Sequence, residues 1–248
     1  ENFPIAFIID FYRNHGLLSI KNRPQWRVIT GGSHQYVRSM LDRMTARIRT
    51  RAAVQQIRRS EDQVRVLGSD FDETFDQIVF ACHSDQALKI LAENATLTEK
   101  QILQAIPYED NSAVLHTDEN VLPVRRRAWA SWNYLIPRSS PDAATVTYNM
   151  NILQQLKSDS TFCVTLNSPQ ALAEDKILGR FQYAHPVFSS SRASVQARHE
   201  ELIGTNRTSF CGAYWGNGFH EDGVVSALKV CRRLDPAALD GTFGSALL

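Results

Sequence analysis

The residues whose types and spacing best suit chemistry lie between Thr208 and Val230. A short run of buried-strand composition, Thr208 to Cys211, meets Gly212, Gly216 and Gly218, and an amphipathic segment then opens with Glu221, Asp222 and Gly223. Glycine admits positive φ and close approach by a neighbouring backbone. Acid in the first turn of a helix complements the helix dipole. The N–H groups left unsatisfied at such a helix start can hold a phosphate or another anionic cofactor group. The same spacing also serves a tight turn between two packed elements. His220 and Glu221 could move protons or tune a redox potential there; the alternative is a surface His220 with Glu221 and Asp222 capping the helix.

Other candidates are weaker. Trp129, Trp132, Tyr134 and Tyr148 could form an aromatic substrate wall or simply core. His83 follows Cys82 on a strand, so the two side chains point to opposite faces and packing is the better reading than a Cys-His dyad. Ser33-His34 after two glycines does not make G-x-S-x-G, which leaves hydrolase chemistry without support. The arginines at 38, 43, 47, 49, 51, 58 and 59 read as a solvated face, or as a surface for a partner or an anionic lipid head group.

These groups need elements to position them. Helical spacing covers Phe3 to Leu18 and Tyr36 to Met44, and Trp26 to Thr30 reads as a strand turned by Gly31-Gly32. Ala53–Arg58 and Gln63–Leu67 alternate as a hairpin. Phe75 to Cys82 is nearly all apolar, as for a strand buried on both faces, with Ser84 among the N-cap candidates for a helix over Gln86–Ala92. After a short helix from Leu97 to Ile106, the strand candidates Ala113–His116, Ala128–Ile136, Thr145–Met150 and Phe162–Leu166 suggest a second, mostly antiparallel domain.

At 248 residues the chain can bury a sizeable core. A net charge of +1 argues against nucleic acid as the main partner. Cys82, Cys163, Cys211 and Cys231 lack C-x-x-C spacing, which points to buried thiols in a reducing cytoplasm rather than zinc or disulfides. No apolar run approaches the ~18 residues of a membrane span. A dinucleotide-binding chain should also carry G-x-G-x-x-G. None is present, and Glu1 opens directly inside the apolar segment Phe3–Tyr12, so the chain reads as the C-terminal portion of a longer protein. Uncovered sheet edges would then favour self-association, as a homo-oligomer.

The order of elements resembles the flavin-dependent amine oxidase and phytoene desaturase superfamily, in particular its bacterial branch of FAD-dependent oxidoreductases. The resemblance is carried by Arg23–Val37, the Val54 strand, Phe75–His83, Trp129–Tyr134, Tyr148–Asn151, Phe210–Tyr214 and Phe219–Ala227. It implies an α/β (α+β) fold: part of an FAD-binding Rossmann-like domain and a substrate domain with a mostly antiparallel sheet and helices. Residues 1–27 would be a substrate-domain helix, 28–93 and 204–248 the FAD-domain segments, and 94–203 the substrate domain. By similarity, Val54 contacts the adenine side of FAD through its backbone, while Gly212, Ala213, Asp222, Gly223 and Val224 lie near the ribityl chain and the flavin pyrimidine edge. The implied activity is removal of hydride from a C–H bond of an amine or apolar, lipid- or isoprenoid-like small-molecule substrate. Many relatives have an acidic residue where this chain has Ala213, and the lysine some amine oxidases place near the flavin has no match. The alternative from another class is a non-enzymatic, sheet-rich binding module whose glycine loop is only structural.

Overall fold

The computed structural model describes residues 5–14, 16–21, 25, 27–136, 145–168, 171–187 and 189–239. The chain divides into two compact units, one of residues 1–26, 36–108 and 186–248, the other of 27–35 and 109–185.

In chain order, the first unit begins with helices α1 (Ile5–Asn14) and α2 (His34–Leu41), whose first two residues fall in the second unit. Strands β1 (Val54–Arg59), β2 (Val64–Gly68), β3 (Asp72–Phe75) and β4 (Ile78–Phe80) and helices α3 (Ser84–Leu91) and α4 (Leu97–Gln104) follow. The second unit carries β5 (Tyr108–His116), β6 (Trp132–Leu135), β7 (Thr145–Asn149), α5 (Met150–Gln154), β8 (Cys163–Leu166) and β9 (Ile177–Pro186), of which Tyr108 and Pro186 are counted with the first unit. The chain then returns to the first unit with α6 (Arg192–Ala197), β10 (Thr208–Phe210) and α7 (His220–Leu234).

In the first unit, β1, β2 and β3 form an antiparallel sheet in which alternate residues Ile57, Val64 and Val66 turn inward. Parallel pairing of β4 with β10 sets Phe80 opposite Phe210, and their rings stack at 5.3 Å with an interplanar angle of 7°. These side chains form one core with Leu91, Ile102, Leu103, Leu202 and Tyr214. Thr96 caps α4 in a reciprocal box: its Oγ1 accepts the Glu99 N–H at 3.1 Å and the Glu99 carboxylate accepts the Thr96 N–H at 2.7 Å. The buried Glu99 carboxylate also takes the Arg59 guanidinium through both oxygens, at 2.5 and 2.9 Å, and Arg59 reaches Thr208 Oγ1 and the Asn94 carbonyl. Burial would raise the Glu99 pKa, but Arg59 and the Thr96 N–H hold it below the ordinary value.

The second unit is a five-stranded sheet in the order β6-β7-β8-β5-β9. Its registers set Trp132 opposite Tyr148, Val146 opposite Leu166, and His116 opposite Cys163. One face is buried and polar, with Asn133, Thr145, Thr147, Asn149, Thr165 and His116. His116 Nδ1 accepts the Asp118 N–H at 3.0 Å, so its Nε2 carries the proton and donates to Thr165 Oγ1 at 2.7 Å, which continues to Thr147 at 2.9 Å. The opposite face holds Trp132, Tyr134, Val146, Tyr148, Val164 and Leu166 and is more open.

Several expectations are corrected. The strand read over Trp26 to Thr30 is not found over its described residues: Trp26 lies outside them, and Arg27 to Ile29 pair with no strand among the described residues and end in a turn at Thr30 and Gly31. Val28 and Ile29 are exposed, so no sheet neighbour captures them. The apolar run Phe75 to Cys82 yields only a three-residue strand, β4, and Val79 within it is 42% exposed rather than buried. Helix α3 begins at Ser84 itself, so the N-cap position falls on His83, which makes no side-chain cap, and the Ser84 hydroxyl donates to the Ile106 carbonyl at 3.3 Å. The arginine run is not one solvated face, since Arg59 is buried against Glu99 and Arg49 pairs with Glu73.

Candidate functional site

The Cys211 N–H donates to the Phe80 carbonyl at 2.8 Å, extending the β4–β10 pairing before the chain turns at Gly212. A Cβ on Gly212 would stand 2.5 Å from the Tyr214 ring, and Tyr214 is only 5% exposed, so close approach demands glycine here. A 3-10 turn, Ala213–Trp215, follows, in which Ala213 O accepts from Gly216 at 3.0 Å and Gly218 at 3.1 Å. Gly218 has φ +94, the positive value expected. Gly216 does not: its φ is −131, and glycine is required instead because a Cβ would run into the Asp222 carboxylate.

Helix α7 then starts against this turn. Asp222 accepts the Phe219 N–H at 2.8 Å, and Gly223 faces the 3-10 turn, where a Cβ would make an ordinary contact with Ala213 N at 3.8 Å. The N-terminal ends of the 3-10 turn and of α7 therefore converge. Among the described residues, the N–H groups of Ala213 and Tyr214 have no acceptor, and those of His220 to Asp222 have no intrahelical one. From α2, Tyr36 Oη lies 2.8 Å from His220 Nδ1, and from α1 the Phe11 ring stacks at 6.1 Å on Phe219.

Beneath the turn lies a polar-edged aromatic group that sequence reasoning missed. His199 Nε2–H donates to the Phe210 carbonyl at 2.6 Å, and its ring stacks on Trp215 at 4.1 Å. His199 Nδ1, the Tyr214 hydroxyl and Trp215 Nε1 are buried with no hydrogen-bond partner among the described residues. Burial holds the His199 pKa below its ordinary value, against the opposing hydrogen bond to Phe210, and raises that of Tyr214. Both groups are thus neutral at pH 7. The only sequence signal was the aromatic pair Tyr214-Trp215 directly before Gly216, a pattern also common in cores.

The residues singled out from sequence fall into four places. Gly212, Ala213, Asp222, Gly223 and Val224 come together at the convergent turns, with Val224 half exposed. Val54 starts β1 where the register slips between Val54 and Gln56, and it packs on the core that includes Tyr214. A register slip takes backbone groups out of the ladder. Trp132, Tyr134 and Tyr148 share the open face of the second unit's sheet, Trp132 directly across from Tyr148. Trp129 is not with them: its Nε1–H donates to the Pro123 carbonyl at 2.7 Å and Arg126 covers its ring at 5.0 Å.

The donor set suits a ligand rich in oxygen acceptors: backbone N–H groups, helix starts, and Gly212 and Gly216, whose Cβ positions are filled by neighbours. Arg192 adds a cation nearby; burial pushes its pKa down to about 10, against the pull of Asp222. Among the described residues no cluster of three or more His, Cys, Asp or Glu could hold a metal ion, and no helix is long and apolar enough to cross a membrane.

Residues 10–123 match the flavin containing amine oxidoreductase family. No curated protein matches the chain in sequence. The fold is that of several solved structures. A CLA-producing fatty acid isomerase from P. acnes aligns with TM-score 0.60 and 13% identity, over 82% of this chain and 52% of its own. A candidate protoporphyrinogen oxidase from Exiguobacterium sp. 255-15 aligns with TM-score 0.64 and 14% identity, over 92% and 57%. A putrescine oxidase redesigned in its cofactor binding aligns with TM-score 0.54 and 12% identity, over 82% and 53%. The chain spans about half the length of these structures.

Proposed function

We propose that this chain is part of a flavin-dependent amine oxidase-like protein, a reading supported by the family match over residues 10–123 and by the shared fold, that it holds part of an FAD molecule at the Gly212 turn, and that it serves an oxidoreductase. The observation that carries this reading is the convergence of the Ala213 and Tyr214 N–H groups with the first turn of α7, beside Gly212 and Gly216, where no Cβ can be fitted. Gly212, Ala213, Asp222, Gly223 and Val224 would hold the ribityl chain and the flavin pyrimidine edge, and the Val54 backbone the adenine side. Bound flavin supplies the acceptor for a hydride leaving a substrate C–H bond.

The residues of the chain then bind, orient and exclude water. Orphan N–H groups at the two convergent starts favour electron-rich oxygens. His220, held by Tyr36 at 2.8 Å, has its imidazole fixed at the start of α7. Trp132, Tyr134 and Tyr148 on the open sheet face suit an apolar or amine-bearing substrate with substantial hydrocarbon. Residues 28–93 and 204–248 would then be the cofactor-binding segments.

The test is titration with FAD of protein purified from its complete reading frame, native and with Gly212→Val or Gly223→Leu. Valine at 212 must displace the buried Tyr214 ring, and leucine at 223 fills the space over Ala213 N. Each variant is expected to weaken FAD binding by about 100-fold, near 2.7 kcal/mol. Tight binding that is indifferent to both changes would put the cofactor elsewhere.

A further inference from the structure

The turn that bears the free N–H groups is held from two directions by side chains outside it. Ser226, in the second turn of α7 and 1% exposed, accepts the Gly212 N–H at 2.9 Å. Its own proton reaches the Gly223 carbonyl at 2.8 Å or the Gly212 carbonyl at 3.1 Å. One hydroxyl thus joins the end of β10 to the first turn of α7. From the other side, the Gln196 amide on α6 donates to the Tyr214 carbonyl and to the Gly216 carbonyl, both at 2.8 Å. Arg192, one turn earlier on α6, also donates to the Gly216 carbonyl and to Asn217 Oδ1.

These bonds divide the labour of the turn. The carbonyls of Tyr214 and Gly216 and the N–H of Gly212 are taken by side chains, whereas the N–H groups of Ala213 and Tyr214 are left without acceptors among the described residues. Without the two clips, a seven-residue stretch with glycines at 212, 216 and 218 would have many conformations to lose on binding.

We propose that Ser226 and Gln196 are positioning residues that hold the Gly212–Gly218 turn ready for the cofactor before it arrives. Neither touches the ligand; each fixes the spacing between the N–H groups of the 3-10 turn and those of α7, so that little ordering entropy is lost on binding. This inference rests on the FAD reading above.

The experiment compares FAD dissociation constants, flavin midpoint potentials and melting temperatures of the native protein from its complete reading frame with Ser226→Ala, Ser226→Thr and Gln196→Met. Loss of either clip is expected to weaken FAD about tenfold and to shift the midpoint potential, while threonine, which keeps the hydroxyl, stays within about twofold of native. A purely structural role would lower the melting temperature and leave affinity and potential alone, and that result overturns the proposal. Should Ser226→Ala not fold, Gln196→Met decides, since that amide is only partly buried. Native protein that takes up no FAD would sink the FAD reading and this proposal together, whereas native binding with unaltered variants sinks the proposal alone.

Discussion

The first unit buries hydrocarbon around Phe80, Phe210, Leu91 and Ile102 and admits the Arg59–Glu99 pair at its edge. The sheet of the second unit buries hydroxyls, amides and a histidine, and turns its aromatic residues outward. In the first unit the core supplies rigidity, and the groups proposed to meet a ligand are backbone N–H groups that hydrocarbon cannot imitate. In the second the buried polar line, with each hydroxyl matched to a partner, favours one register, because a one-residue slip would put Trp132 and Tyr148 inside and leave Thr147 and Thr165 outside. That frees the opposite face to be apolar. The difference separates two ways of preparing a site: pinning a backbone, and fixing a sheet so that its other face can vary.

The hardest blow to this contrast would come from Arg59→Met. It leaves the Glu99 carboxylate buried with its capping bonds but without its cation, and the expected loss is about 3–5 kcal/mol in urea denaturation. A loss near zero would mean the pair is solvated and the first unit less dry than described. Next, Thr165→Val removes the acceptor of His116 and the partner of Thr147, at an expected cost of about 1–3 kcal/mol. Amide exchange should accelerate in β5, β7 and β8 and not in β1 and β2; equal acceleration in both would erase the distinction.

Acid should find both units through their histidines. Burial depresses the pKa of His116 and of His199 below the ordinary 6.5. The unfolded chain therefore takes up protons first as pH falls from about 6.5. Stability is full above that value and declines through the window beneath it, until the folded-state values are reached. The urea midpoint should be lower at pH 5 than at pH 7.5, and His116→Gln should flatten part of the slope; a midpoint that rises toward pH 5 would contradict the neutral, buried assignment. The smallest expected change in stability belongs to Trp132→Ala, within about 0.5 kcal/mol because the side chain is on the open face. If the face is a substrate wall, the same change should reduce kcat/KM about tenfold or more, and an unchanged value would leave the wall without a role.

Much of this architecture was legible in the sequence. Alternation marked β2 and, less regularly, β1, and the spacing of aromatic and β-branched residues marked β6 to β8. The glycine turn before α7 was visible because each glycine there answers a steric demand, though at Gly216 the demand is the neighbouring Asp222 carboxylate rather than positive φ. What stayed hidden depends on distant partners. Arg59 looked like one member of a charge run until α4 brought Glu99 to it from 40 residues away. Gln196 and Ser226 carry no motif at all, since their meaning lies in carbonyls and N–H groups that only the fold delivers. The failed strand at Val28 and Ile29 makes the same point in reverse, because an apolar extended segment becomes a strand only where another edge receives it.

The central claim is tested most directly by the UV–visible spectrum of protein expressed from its complete reading frame, followed by denaturation and identification of the released chromophore. The account predicts a flavin spectrum and free FAD in the supernatant. Colourless protein that also fails to take up added FAD would contradict it, and the Gly212 turn would then be a structural feature of a binding module.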